Sequence, residues 1–419
     1  MPDKTTKSMT GARSESYERL DQSVSKLGSN RLAQKLAYFG WFPAYLKQRL
    51  TRRSPRGPIH VIFAIADHFE PAIVPGDGSA HASYNEQARK LECWCRDYPR
   101  AVAHWRDAEG FPLRHTYFYP AEQYDRDLVS RLAEHCSSGW GEIEIHLHHG
   151  MGRPDTAENT RRQLVHFRDT LAFKHGCLAY EGESETPRYA FVHGNFALAN
   201  SAGGYGCGVD CEMQILAETR CYADLTMPAS AFHPAQITKI NSLYECGLPL
   251  RQRAPHRRGG DLRRGLSPRV FPIMLQGPLM LDFDRSSRSG LGRFENAALT
   301  GANPPSIRRL HLWKRARICV QGKPNWIFIK LHCHSMDPAA NEAVLGEPMQ
   351  KFLRELVEGA PERNEILHFV TAREMVNVAL AACDGKHGNP GEYRDYRFRR
   401  TRPALLNVED RASERVVKG

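Results

Sequence analysis

Residues 59–69, IHVIFAIADHF, form an unbroken apolar and β-branched run. That is the pattern of a strand covered on both faces of a parallel sheet. RHTYFYP (114–120), GEIEIHLHH (141–149) and YAFVHGN (189–195) read as further strands, and CYADLTMP (221–228), FPIMLQGPLML (271–281) and WIFIKLHCH (326–334) continue the series. Helical spacing appears at 84–107, 124–136, 155–176, 210–219 and 340–358, and HFVTAREMVNVALAA (368–382) closes the patterned region. Asp155 or Thr156 caps the long helix, and Gly176 stops it. Strand and helix alternate at least six times, which predicts an α/β fold with a parallel sheet, closed or nearly closed into a barrel.

In such folds chemistry gathers at the carboxyl ends of the strands. Here the first strand ends in Asp67-His68, the third in His146-Leu147-His148-His149, and the fourth in His193-Gly194-Asn195. The next ends in Asp224, and a later one in His332-Cys333-His334. One such histidine would be an ordinary satisfied core residue, but five strand ends with the same chemistry predict a metal or catalytic site. Alternation puts His146 and His148 on one side, with His149 opening the loop. Imidazoles with a group from the first strand suit a divalent transition metal such as zinc, whereas magnesium and calcium want mostly oxygen.

The rest of the chain narrows the setting. Hydrophobic residues make up 41% and charged residues 25% of 419 residues, which is globular usage. Fifty-eight bases against 47 acids leave a net charge of +11, which suits an anionic partner without requiring one. Eleven cysteines without regular CxxC pairs read as reduced thiols of a cytosolic protein. Cys93/Cys95 and Cys207/Cys211 could bind metal, but buried thiols are the commoner use of such residues. Residues 1–30 lack an apolar secretory core, and no run approaches the ~18 apolar residues of a membrane span.

The divisions expected are a basic, partly helical extension (1–56), a catalytic domain (57–382) and a polar tail (383–419). Residues 22–66 hold eight Lys/Arg and no acid. Their aromatics, Phe39 to Tyr45, favour docking on the main domain; weak contact with an anionic membrane through 22–56 is the alternative. Residues 251–269 carry seven arginines and one acid. They read as a solvated loop insertion, with an anion-gripping lid as the alternative. No aromatic-interleaved motif supports nucleic-acid binding.

The order of motifs resembles the polysaccharide deacetylase superfamily, and more closely its uncharacterised bacterial branch, over roughly residues 57–382. The resemblance implies a distorted (β/α) barrel with about seven parallel strands. The family's first motif ends in two aspartates, a base and a metal ligand; Asp67 and His68 of AIADHFEP hold those places. Its second motif carries two histidines, usually four residues apart; EIEIHLHHG supplies His146, while Gly150 occupies the fourth-on position, leaving His148 or His149 as the second ligand. His332 of FIKLHCH takes the place of the histidine that protonates the leaving group, with His334 nearby. Asp224 falls where an aspartate orients catalytic groups, and His193 and Asn195 lie at the substrate-binding loop.

The implied activity is metal-assisted hydrolysis of an amide, with removal of N-acetyl groups from a carbohydrate or glycan precursor, in the cytoplasm or at the inner face of the membrane. Asp67 would take the water's proton, or serve instead as a ligand. Two alternatives remain: an amidohydrolase or phosphoesterase built on the HxH pairs His146/His148 and His332/His334, and a carbohydrate-binding barrel without turnover.

Overall fold

The computed structural model describes residues 40–400 apart from 53, 56, 75–76 and 284–292. Residues 1–39 and 401–419, with the expectations that fall on them, lie outside the described residues.

β1 (Ile59–His68) sends Val61, Phe63 and Ile65 to one face and Ile62, Ala64 and Ala66 to the other. Both sets are buried, which is why the sequence shows a continuous apolar run. The same two-sided burial recurs in β2 (His115–Pro120), β3 (Gly141–Leu147), β4 (Tyr189–His193) and β5 (Cys221–Asp224). β6 (Leu243–Cys246), β7 (Gly259–Asp261), β8 (Ile273–Leu275), β9 (Trp326–Cys333) and β10 (Glu365–Phe369) complete a ten-stranded sheet.

Its order is β7-β6-β8-β5-β4-β3-β2-β1-β9, with β10 also on β1. Pairing is parallel except where β6 meets β7 and β8. β2 takes the carboxyl half of one β1 edge and β10 the amino half. β9 takes the other edge in unbroken register from His60–Trp326 to Asp67–Cys333. The sheet is large and mostly parallel, but among the described residues it does not close on itself. The α/β class with a mostly parallel sheet is as expected, while closure into a barrel is not seen among the described residues. Irregular segments border the free side of β9, with the amide of His332 donating to Ala297 O and that of Phe328 to Ile318 O.

One face is covered by α2 (Tyr84–Val102), α3 (Arg126–His135), α4 (Ala157–His175), α5 (Glu212–Glu218), α6 (Ile307–Arg315), α7 (Pro338–Leu345) and α8 (Glu347–Glu358). The other is covered by α1 (Phe42–Thr51) and by α9 (Ala372–Cys383), all 12 of whose residues are buried. Local signals set the boundaries. Thr156 caps α4 by accepting from Asn159 N, and Gly176 ends it in the left-handed region at φ 65°. The single helix expected over 340–358 is two helices, meeting at Gly346.

The segment from Trp41 to Arg52 is docked on the domain. Trp41 is buried and donates Nε1–H to Ala231 O, and Arg52 donates to Ala316 O and Asn241 O. The region read as a tail begins as packed structure: Phe398 is fully buried, and Asn377 Nδ2 donates to the carbonyls of Arg394 and Phe398. The arginine-rich insertion includes β7, and Arg253 and Arg257 bond the carbonyls of Asn200 and Ser201.

Near the amino ends of β2 and β3 lies a network of paired charges. Glu142 meets Arg373 at 2.7 Å, and Arg394 meets Asp107 at 2.7 Å and Glu109 at 3.0 Å. These carboxylates are buried or half-buried against guanidinium groups, which cancel their charge and fill their lone pairs.

Candidate metal centre

At the carboxyl ends of the strands, alternation sorts the chemistry into separate groups. His68 shares the face of Ile62, Ala64 and Ala66, and Glu70 follows two residues on. His146 comes to them from β3, and these three buried side chains bring ligand atoms within 4.8 Å of one another. His334 stacks towards His68 at 4.6 Å between ring centroids, His146 at 4.9 Å and His332 at 6.1 Å.

The hydrogen bonds fix the tautomer that matters. His146 Nδ1 lies 2.7 Å from the carbonyl of Val192, which can only accept, so Nδ1 carries a proton. Nε2 then faces Glu70 Oε1 at 3.1 Å. A bare nitrogen lone pair against a carboxylate oxygen is repulsive, so that gap calls for a cation, either a proton or a metal ion. His332 adds a buried Nδ1 without a hydrogen-bond partner. The donor set of two imidazoles and a carboxylate fits a divalent transition metal.

The electrostatics agree. Burial raises the Glu70 carboxyl, but the bond from His146 and the charges of His148 and His334 outweigh it and hold it at about 2. Burial, then the neighbouring His334, His146 and His332, drive His68 well below the usual imidazole value, so it is neutral and able to ligate. Burial and the nearby Lys330 do the same to His332.

His148 lies on the same side but is held differently. Its Nδ1 is 2.7 Å from Glu122 Oε1 and its Nε2 3.3 Å from Glu70 Oε1. Burial works against its charge, yet the Glu122 bond and the two carboxylates raise it to about 9. It is an imidazolium clamped between acids. Beside it runs a groove of about 590 Å³ lined by His148, Met151, Arg153, Asn159 and Gln163 among others.

Asp67 is a correction. One residue from His68, it points to the opposite, helix-covered face with Phe63 and Ile65. It is fully buried, bonded to His115 Nδ1 at 3.0 Å and accepting from Ser335 N, with Cys333 alongside. With those partners Asp67 belongs to a group separate from the His68–Glu70–His146 cluster. The carboxylate that meets His68 and His146 is that of Glu70.

His149 and His193 also leave the centre. They turn to the helix side and meet Glu212 and Cys207. Asp224 is buried and accepts from Thr226 N and Oγ1, while Thr226 Oγ1 accepts from His193 N. Burial raises Asp224 to about 7, against the bonds from Thr226. Through Thr226 it braces the end of β4. Asn195 occupies a left-handed turn at φ 52°, with its amide against Met151 Sδ. Four residues around the centre carried no reading in the sequence: Glu70, Glu122, Lys330 and Phe196, whose ring lies 6.2 Å from that of His68 and 6.0 Å from that of His332. Lys330 donates to Leu225 O from the face of β9 that carries His332, and burial lowers it to about 7. Strand parity was the available signal for Glu70 and Lys330.

No protein-family model matches the chain, and no curated protein does. Among solved structures, the chain is similar to one described as a "putative polysaccharide deacetylase from Mycobacterium smegmatis". The TM-score is 0.42 and the identity 14%, over 79% of this chain and 93% of that one. At that distance the chemistry has to be argued from this chain's own residues.

Proposed function

We propose that the protein is a metal-dependent hydrolase of C–N bonds that removes N-acetyl groups from a carbohydrate or glycan precursor. The observation that carries the reading is the convergence of His68, Glu70 and His146, with His146 Nε2 turned towards a carboxylate by the Val192 carbonyl. The order of motifs along the chain supports the choice of substrate class. His68, Glu70 and His146 would hold the ion, zinc by donor type. When bound, it polarises an amide carbonyl and makes its water a nucleophile near neutral pH.

The side chains would divide the proton work. His332, neutral and partnerless at Nδ1, takes the proton from the attacking water. His148, fixed at Nδ1 by Glu122, gives its proton to the departing amine. The roles first expected of Asp67 and His332 thus pass to His332 and His148. The groove beside His148 would seat the sugar chain. Among the described residues no helix is long and apolar enough to cross a membrane. The setting proposed is cytoplasmic, on lipid-linked or free glycan precursors.

The test is metal analysis of the purified chain followed by acetate release from N-acetylated sugars, with phosphoesters as a parallel substrate. Metal-dependent acetate release that is lost in His146→Ala supports the reading. Turnover of phosphoesters alone would replace it with the phosphoesterase alternative, and bound metal without any turnover would leave a carbohydrate-binding protein.

A further inference from the structure

A second cluster lies on the other side of the sheet. His149 follows β3, His193 ends β4, Cys207 sits in the glycine-rich loop SAGGYGCG, and Glu212 begins α5. Their ligand atoms all lie within 4.8 Å of one another, and each residue is at most 5% exposed.

Both imidazoles are oriented from behind. His149 Nδ1 is bonded to Asp155 Oδ2 at 3.0 Å, and His193 Nδ1 to the carbonyl of Gly194. The carbonyl can only accept, so His193 carries its proton at Nδ1; the Asp155 carboxylate holds the His149 proton the same way. Both Nε2 atoms are then turned inward. They stand 2.9 Å apart, and 2.9 Å and 3.4 Å from the same oxygen, Glu212 Oε1. Two nitrogen lone pairs and a carboxylate oxygen cannot face one another in a dry interior without a cation between them. The Cys207 thiol, 3.4 Å from Glu212 Oε2, is the fourth donor.

We infer that His149, His193, Cys207 and Glu212 form a second metal site, closed and structural, for a zinc-class divalent ion. The four ligands are of the types zinc takes at a tetrahedral centre. Carboxylate–histidine support, as from Asp155 to His149, is the usual outer shell of such an ion. Four protein donors would leave a tetrahedral ion no open position for substrate, which separates the site from a catalytic centre, although His149 also lines the groove beside His148. Tetrahedral zinc with bonds of about 2.0–2.1 Å sets its nitrogens roughly 3.4 Å apart, so loading opens the imidazole pair slightly.

The site would staple two loops to the sheet. Asp155 N donates to Cys207 O at 2.8 Å. Gly150 is at φ 66°, and a Cβ there would collide with the Cys207 carbonyl. The loops are packed as closely as glycine allows, and the ion would tie both to β4 and α5.

Loading has a proton balance. The thiol loses its proton to become the thiolate ligand, and the proton shared within the His149–His193–Glu212 group leaves as well, so two protons go to solvent per ion.

The experiment uses the full chain stripped of metal and reloaded with cobalt or zinc alone. Expected are two ions per chain, and a thiolate-to-cobalt charge-transfer band in the near ultraviolet. Cys207→Ser should fall to one ion and lose the band; His146→Ala should also fall to one ion but keep it. Calorimetry in buffers of different ionisation enthalpy should give close to two protons released at the thiolate site. A wild-type band that survives Cys333→Ser, whose thiol lies beside Asp67 and His115, decides even if Cys207→Ser does not fold. No band in the wild type, or two ions retained by Cys207→Ser, overturns the inference and leaves a proton-bridged buried cluster. One ion with the band intact would keep this site and remove the His68–Glu70–His146 centre, so the two readings fail separately.

Discussion

Buried carboxylates occur at both ends of the sheet, and their partners differ. Near the amino ends of β2 and β3, Glu142 is bonded to Arg373, and Asp107 to Arg394. At the carboxyl rim, Glu70 meets His146 and His148, and Glu212 meets His149 and His193. A guanidinium never gives up its proton, so an Arg–carboxylate pair is permanent and can only brace. An imidazole can exchange its proton for a metal ion. For these four acids the choice of cation separates scaffold from candidate site, whereas Asp67 with His115 and Glu109 with His368 are imidazole pairs outside it.

The largest effect should come from breaking the permanent pairs. Arg373→Met leaves Glu142 buried and unpaired, and its removal from two further carbonyl contacts adds to the loss. The expected cost is about 3–5 kcal/mol in chemical denaturation. A change below ~1 kcal/mol would show that this end is not the brace it is taken to be. At the rim the ranking inverts. Glu70→Gln should move the metal-free denaturation midpoint far less than Arg373→Met, while cutting turnover by about 100-fold and weakening metal retention. Full activity in that variant would remove Glu70 from the centre.

A pH titration sharpens the contrast. Burial holds His60, His135 and His233 at about 4 and His256 at about 3, against 6.5 for the free side chain. As pH falls below 6.5 the unfolded chain takes up these protons first, so the contribution of these four imidazoles is complete above 6.5 and declines towards pH 4, against a smaller opposite gain from the buried carboxyls of Asp224 and Glu144, held at about 7 and about 8. Glu70 and Glu212, held at about 2, add their loss only below about 4.5. Urea midpoints of the metal-free protein should fall in two stages, and His135→Gln should flatten the first. A midpoint constant from pH 6.5 to 4.5 would refute the assignment. The smallest effect belongs to the surface. Arg161 and Glu218 are paired with side chains 45% and 40% exposed, and replacing both with Ala should shift stability by less than about 0.5 kcal/mol.

Much of this was legible in the chain. The apolar run 59–69 and the cap and stop of the 155–176 helix gave strand and helix where the structure has them, because two-sided burial and capping leave local signatures. Whether the sheet closes was not legible, since that depends on how β9 borders distant irregular segments. The histidines at strand ends pointed to the rim, but parity was applied to His146 and His148 and not to Asp67 and His68. Alternation there separates Asp67 from His68 and leaves open which of them shares the side of His146. Cys207 and Glu212 lie outside any strand, so no periodicity announces that they join His149 and His193. Residues 243–246 and 259–261 form a hairpin too short and too polar to stand out in an arginine-rich stretch.

The position of β1 has a consequence for synthesis. Its partners on one edge begin at Trp326 and on part of the other at Glu365, so a strand made early stays half-paired until nearly the whole patterned region has emerged. Such long sequence separation slows folding. Until then Val61, Phe63 and Ile65 present one apolar ridge and Ile62, Ala64 and Ala66 another, with backbone groups unpaired between them. The nascent chain thus carries its most aggregation-prone segment longest, and its yield in the cell should depend more on translation speed and chaperone supply than on the stability of the finished sheet.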